Sequence, residues 1–170
     1  MTRSSCWTNL AREEKEVVEI LYKALSDEMM LHLCANHYKW NILDSKFDVL
    51  HRFCTEISSI TLFNADRVAE RIRSLRHRAI GSDIREYILY TRVDVLADQE
   101  GEWKETEEML LLMVRGHETL VGRLDRDVKF VRDRFGDPAT GRILLELIDS
   151  HRRMIWQMRA LLFHSPTSAQ

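Results

Sequence analysis

Residues 39–71 read KWNILDSKFDVLHRFCTEISSITLFNADRVAER, and this stretch decides the fold. Trp40 and Asn41 close one apolar helix. After a short link, residues 41–45, the pattern predicts a second helix over about 46–75. Phe47, Leu50, Cys54, Ile57, Ala65, Val68 and Ile72 recur there at three- and four-residue spacing. His51, Asp66 and Glu70 are side chains able to ligate a hard or borderline metal. On one straight helix His51 and Asp66 lie about 22 Å apart at ~1.5 Å per residue. Ligands of one ion converge within a few ångströms, so a site built from these three residues requires two copies of the chain.

Working outward, the same periodicity predicts three more long helices. The first covers about 7–38, with Val17, Val18, Leu21, Ala24, Leu25 and Cys34 on its apolar face. A third covers about 102–134 and a fourth runs from Pro138 to about 163. The third-to-fourth joint is sharply punctuated. Gly136 ends one helix, Asp137 is a good N-cap, and Pro138 suits the first turn of the next. The second and third helices are joined by a long connection, about 77–101. Within it Asp83 to Tyr90 predicts a short helix capped by Ser82 or Asp83. Four long helices with one long connection make an all-α, ferritin-like four-helix bundle. The chain reads as a single domain over 1–170, with ends expected to fray over about 1–6 and 164–170.

Composition agrees with this class. The chain has 170 residues, 45% hydrophobic and 31% charged, with only two prolines and six glycines. Such sparse punctuation disfavours a turn-rich β fold. A formal net charge of −2 gives no global attraction to nucleic acid or to an anionic membrane. No apolar run nears the ~20 residues that span a bilayer, and the N-terminal residues lack the apolar core of a signal peptide. Cys6, Cys34 and Cys54 are odd in number and lack metal-type spacing. They read as reduced thiols of a cytoplasmic protein.

Two separated motifs carry a resemblance. The first is Trp40-Asn41, Phe47, Leu50-His51, Asp66 and Ala69-Glu70-Arg71-Ile72. The second is Asp137, Ala139-Thr140, His151, Trp156 and Arg159-Ala160. Together they resemble the DNA-protection-during-starvation (Dps) family of mini-ferritins, over roughly residues 15–163. The resemblance implies a hollow dodecamer that oxidises ferrous iron, often with hydrogen peroxide, stores the ferric product and in some members binds DNA. It also implies a metal site between two-fold-related subunits, with His51 of one chain facing Asp66 and Glu70 of another. Iron is the implied metal.

The chain departs from the family pattern at two positions. The family has His immediately before the Trp and Asp four residues after the second His. Here these positions hold Lys39 and Thr55. Lysine is a cation with no acceptor, and threonine offers only a weak neutral oxygen. The expectation is an atypical, impaired site, with Lys39 reaching the neighbour's Asp66 and Glu70 in place of the metal. His37 or Glu56 would be the substitutes, but His37 lies about 200° around the helix from Lys39. The alternative function is a non-catalytic structural cage or a nucleoid-associated protein.

Other residues carry less. His151 and Trp156 read as packing residues of the last helix, and Trp40 as interface core. Cys34 and Cys54 read as buried fillers. His32, His77 and His117 show no partner pattern. The one basic cluster is Arg67, Arg71, Arg73, Arg76, Arg78 and Arg85, read first as a solvated helix end. DNA is therefore a possible partner without a basic tail to support it. The acidic run from Asp98 to Glu108 reads as a helix start. Asp133, Asp137 and Glu146 lie where the family has acidic channels, with Asp137 read first as an N-cap.

Overall fold

In the computed structural model the backbone is described for residues 3–94 and 105–163, and side chains for 14–94 and 105–162. Five helices occupy them: α1 (Arg3–Asn41), α2 (Phe47–Ser74), α3 (Ile84–Tyr90), α4 (Thr106–Phe135) and α5 (Pro138–Phe163). The order and approximate bounds agree with the periodicity. α1 begins four residues earlier than its apolar pattern. The expected start of α4, part of the acidic run and the expected frayed tail lie outside the described residues.

The helix ends follow local chemistry. Gly136 adopts φ 60, the left-handed conformation that closes α4. Asp137 then caps α5: its carboxylate accepts the Thr140 backbone N–H at 3.0 Å and the Thr140 hydroxyl at 2.6 Å. Asp83 caps α3 in the same way, accepting the Arg85 N–H at 2.9 Å. In the α1–α2 link, Asp44 accepts the Lys46 N–H at 2.7 Å and turns the chain into α2.

Side-chain contacts set the helix directions. α1 packs on α2 and α4, and α5 packs on α4 and α2. Arg134, at the end of α4, pairs with Glu16 near the start of α1, so α1 and α4 are antiparallel. Arg71, at the end of α2, meets Thr140 and Asp137 at the start of α5, so α2 and α5 are also antiparallel. Short links make α1–α2 and α4–α5 antiparallel as well. Hence α2 and α4 run the same way on opposite corners of the bundle. The chain between them must climb back along its length, which is why that connection is long.

The climbing segment packs through α3 on α1 alone and is locked at its far end. Arg92 reaches Asp27 of α1 at 2.9 Å and Asp127 of α4 at 2.6 Å. Asp27 is fully buried. Burial pushes its carboxyl above the usual carboxylate range, although Arg92 pulls the other way.

The core is an apolar seam that includes Leu21, Leu31, Ile57, Ile72, Leu120, Leu124, Leu144 and Leu147, all at most 1% exposed. Cys34 and Cys54 are buried within it and in no disulfide, and burial pushes the Cys54 thiol up to about 11. His151 is buried as expected. Trp156 is not a packing residue of the bundle: it is 68% exposed. Its position on α5 faces outward beside Val49 and Phe53 of α2, where the two helices leave an open apolar groove.

Candidate metal centre

α2 carries the three predicted ligands on a single unbroken helix. Its inner face holds Leu50, Cys54, Ile57, Ala65, Val68 and Ile72, which bury against the bundle. That packing fixes the rotation of the helix and turns Asp66 and Glu70 to solvent. Neither carboxylate hydrogen-bonds or ion-pairs with another described residue. His51 is half-buried, with its ring against Phe47 at 5.2 Å between centroids. Its nitrogens have no hydrogen-bond partner among the described residues. Within one chain the continuous helix keeps His51 apart from Asp66 and Glu70. Among the described residues no group of three His, Cys, Asp or Glu side chains is placed to hold a metal ion.

The two departing positions are engaged locally. The Lys39 ammonium donates to Asn36 Oδ1 at 2.7 Å and lies 5.8 Å from the centre of the Trp40 ring. Asn36 in turn contacts His32 at 3.1 Å, and His32 Nδ1 contacts the Ser58 carbonyl at 2.9 Å. His32 thus joins α1 to α2, a role its sequence context did not reveal. Thr55 donates its hydroxyl to the His51 carbonyl at 2.8 Å, a bond within its own helix. His37 lies 3.4 Å from the Asn41 amide through Nδ1.

Exposed apolar side chains lie beside Asp66: Leu62 and Phe63 are 48% and 63% exposed. Trp40, 73% exposed, stands apart at the α1–α2 end of the bundle. Leu62, Phe63, Asp66 and Ala69 of α2 form one wall of a groove whose other wall includes Ile80 and Tyr87. α3 adds Ile84, Ile88 and Leu89 to the exposed apolar residues. Leu62 and Phe63 thus leave exposed apolar surface beside Asp66, of the kind that interaction faces present.

The basic cluster is largely neutralised from within. Arg67 pairs with Glu146, Arg71 with Asp137, Arg85 with Asp83, and Arg78 bonds Ser82 beside Glu86. The same bonds occupy two of the three acidic residues near the α4–α5 joint, Asp137 and Glu146. Asp137 is therefore an N-cap and an Arg71 partner.

A second polar constellation lies inside the bundle. Glu28 of α1, Asn64 of α2, His117 of α4 and His151 of α5 are all at most 3% exposed. His151 Nε2 contacts Glu28 Oε1 at 2.7 Å, and its Nδ1 contacts His117 Nδ1 at 2.8 Å. Asn64 donates to Glu28 Oε1 at 3.4 Å. Burial, then the neighbouring His151, hold the His117 imidazole well below its usual range. His117 has no motif around it, and a single sequence does not reveal that one polar residue from each long helix meets at one level. The only available signal was Asp27-Glu28 and His117 at positions in register with apolar neighbours.

Comparison with known proteins agrees with this architecture. A "low temperature-induced protein" of Nostoc is 28% identical over 158 residues, covering 92% of this chain and 86% of that protein. "DNA protection during starvation protein 2" of Bacillus anthracis is 24% identical over 149 residues, covering 87% and 97%. The crystal structure of Dps from Thermosynechococcus elongatus superposes with a TM-score of 0.84 at 18% identity, covering 95% of this chain and 99% of that one. The bundle with its helix-bearing connection is thus the Dps fold. Residues 18–164 match the ferritin-like domain family, and the chain belongs to that family.

Proposed function

We propose that this chain is a Dps-like mini-ferritin that sequesters iron and protects against oxidative stress through a site shared by two copies. His51 of one copy would face Asp66 and Glu70 of the other across antiparallel α2 helices. The observation that carries this reading is the pairing of unengaged ligands with an unpartnered apolar face. Asp66, Glu70 and His51 leave their ligating atoms free, and Leu62 and Phe63 lie beside the acidic pair. Such a face supports a homo-oligomer, for which the Dps relatives suggest a dodecameric cage in the cytoplasm.

The donor set fits iron incompletely. One imidazole and two carboxylates are suitable ligands for ferrous iron. Lys39 and Thr55 supply neither the second imidazole nor the third carboxylate that the family pattern carries. An ammonium near two carboxylates competes with a cation for the same charge. The site therefore binds iron weakly and oxidises it slowly. When iron binds, it supplies the ferrous-to-ferric couple. The chain would supply the Asp66 and Glu70 carboxylates to hold it and the His51 imidazole, packed against Phe47.

Stopped-flow ferrous oxidation, with peroxide and with oxygen, tests this on the unmodified protein and the Lys39→His/Thr55→Asp double variant. The expected result is at least tenfold faster oxidation by the variant. Equal rates would defeat the impaired-site reading. Absence of iron loading in both would favour a non-catalytic structural cage. Gel retardation of DNA at low salt tests the nucleoid-associated alternative, which the internal pairing of the arginine cluster disfavours.

A further inference from the structure

The Glu28–His151–His117 chain of contacts takes no part in the proposed iron chemistry. Its geometry fixes how many protons it can hold. The Glu28 Oε1–His151 Nε2 contact at 2.7 Å needs one hydrogen between its atoms, and the Nδ1–Nδ1 contact at 2.8 Å needs one more. Two bare lone pairs at that distance repel, and two N–H groups collide. His117 Nε2 has no hydrogen-bond partner among the described residues. The contacts admit at most one imidazolium between the two rings beside the Glu28 carboxylate, and burial keeps His117 as the neutral ring.

A further proton would make His117 an imidazolium as well. It would set N–H against N–H at the Nδ1 pair and place two buried cations beside one carboxylate. The groups facing His117 offer no relief. α5 presents His151, α1 presents Glu28 beyond it, and α2 presents the neutral Asn64, which donates to that same carboxylate. Glu28 Oε2 also lacks a hydrogen-bond partner among the described residues, so the carboxylate of the cluster is itself incompletely satisfied there.

We propose that this buried cluster is an acid-operated weak point of the bundle, at which α1, α4 and α5 stay packed only by refusing a proton that the unfolded chain accepts. The sign follows from linkage. Unfolded His117 takes up a proton near its ordinary value of 6.5, whereas folded His117 stays neutral well below it. The contribution to stability is complete above about pH 6.5 and is lost progressively as the pH falls below it.

The test is thermal unfolding of the full-length protein between about pH 7.5 and 5. It compares the unmodified chain with His117→Gln, which keeps a donor and an acceptor, and His117→Phe, which removes both. Below pH 6.5 the unmodified protein is expected to lose roughly 3 to 5 °C per pH unit more than either variant. Parallel curves would overturn the proposal. If neither variant folds, imidazole C2-hydrogen exchange read by mass spectrometry on the unmodified protein decides. The peptide carrying His117 is expected to show no titration over this range, and a midpoint near pH 6.5 would overturn the proposal.

Discussion

Asp137 carries two duties on one carboxylate. It caps α5 through Thr140, and both its oxygens accept from the Arg71 guanidinium, at 3.0 and 2.9 Å. Burial pushes its carboxyl up, but the hydrogen bonds from Thr140 and Arg71 outweigh this and hold it below the usual range. Its contribution is present above the unfolded value of about 3.8 and is lost as the pH falls through the folded value. Asp137→Ala removes cap and ion pair together and is expected to cost about 2 kcal/mol. Asp137→Asn keeps the cap and is expected to cost about half as much. Chemical denaturation of the two variants separates the terms, and equal losses would show that the cap contributes nothing. The cap was legible in the sequence Gly136-Asp137-Pro138, because capping is local. The Arg71 partnership was not, since it joins residues 66 apart in the chain.

At the scale of elements, long helices were legible because burial on one side imprints a 3.6-residue period. α3 was legible too, through the capping residue Asp83. The anchor that follows was invisible, because Arg92 is one arginine among many until the fold brings Asp27 and Asp127 to it. Arg92→Ala would leave the Asp27 carboxylate buried without its cation. The expected cost is about 3 to 5 kcal/mol, with the connection between α2 and α4 loosening first. Limited proteolysis checks this: cleavage should appear near residues 85–95 while α1, α2, α4 and α5 remain protected. Unchanged cleavage would show that α3 docks without the clamp. Trp156 illustrates the opposite error. Its bulk and apolar character read as packing, but Arg152, Arg153 and Arg159 at three- and four-residue spacing put it off the apolar stripe of α5.

For the whole molecule, the sequence supplied candidate ligands without a geometry. His51, Asp66 and Glu70 are residue types that can ligate a metal, and their separation on one helix means that the proposed site would need a second copy, yet neither says how copies would meet. The buried Glu28–Asn64–His117–His151 level was not legible as a cluster, because beyond polar residues in apolar register it exists only once four helices are assembled. The apolar face around Asp66 makes a prediction at this scale. Phe63→Glu places a charge on that face without touching the core, since Phe63 is 63% exposed. Light scattering is expected to show a smaller assembly than for the unmodified protein, with helical content retained. An unchanged mass would place the subunit contact elsewhere.

The Arg92 clamp has a consequence for association itself. Joining two surfaces is opposed by the conformational freedom that each loses on contact. Here the segment bearing Ile84, Ile88 and Leu89 is already tethered at its end by the paired aspartates of α1 and α4. Its freedom is surrendered during folding of the single chain, so little would remain to be lost in the self-association proposed above. Arg92 touches neither the groove nor the acidic pair, yet cutting this tether should weaken self-association more than the lost apolar contacts alone would explain.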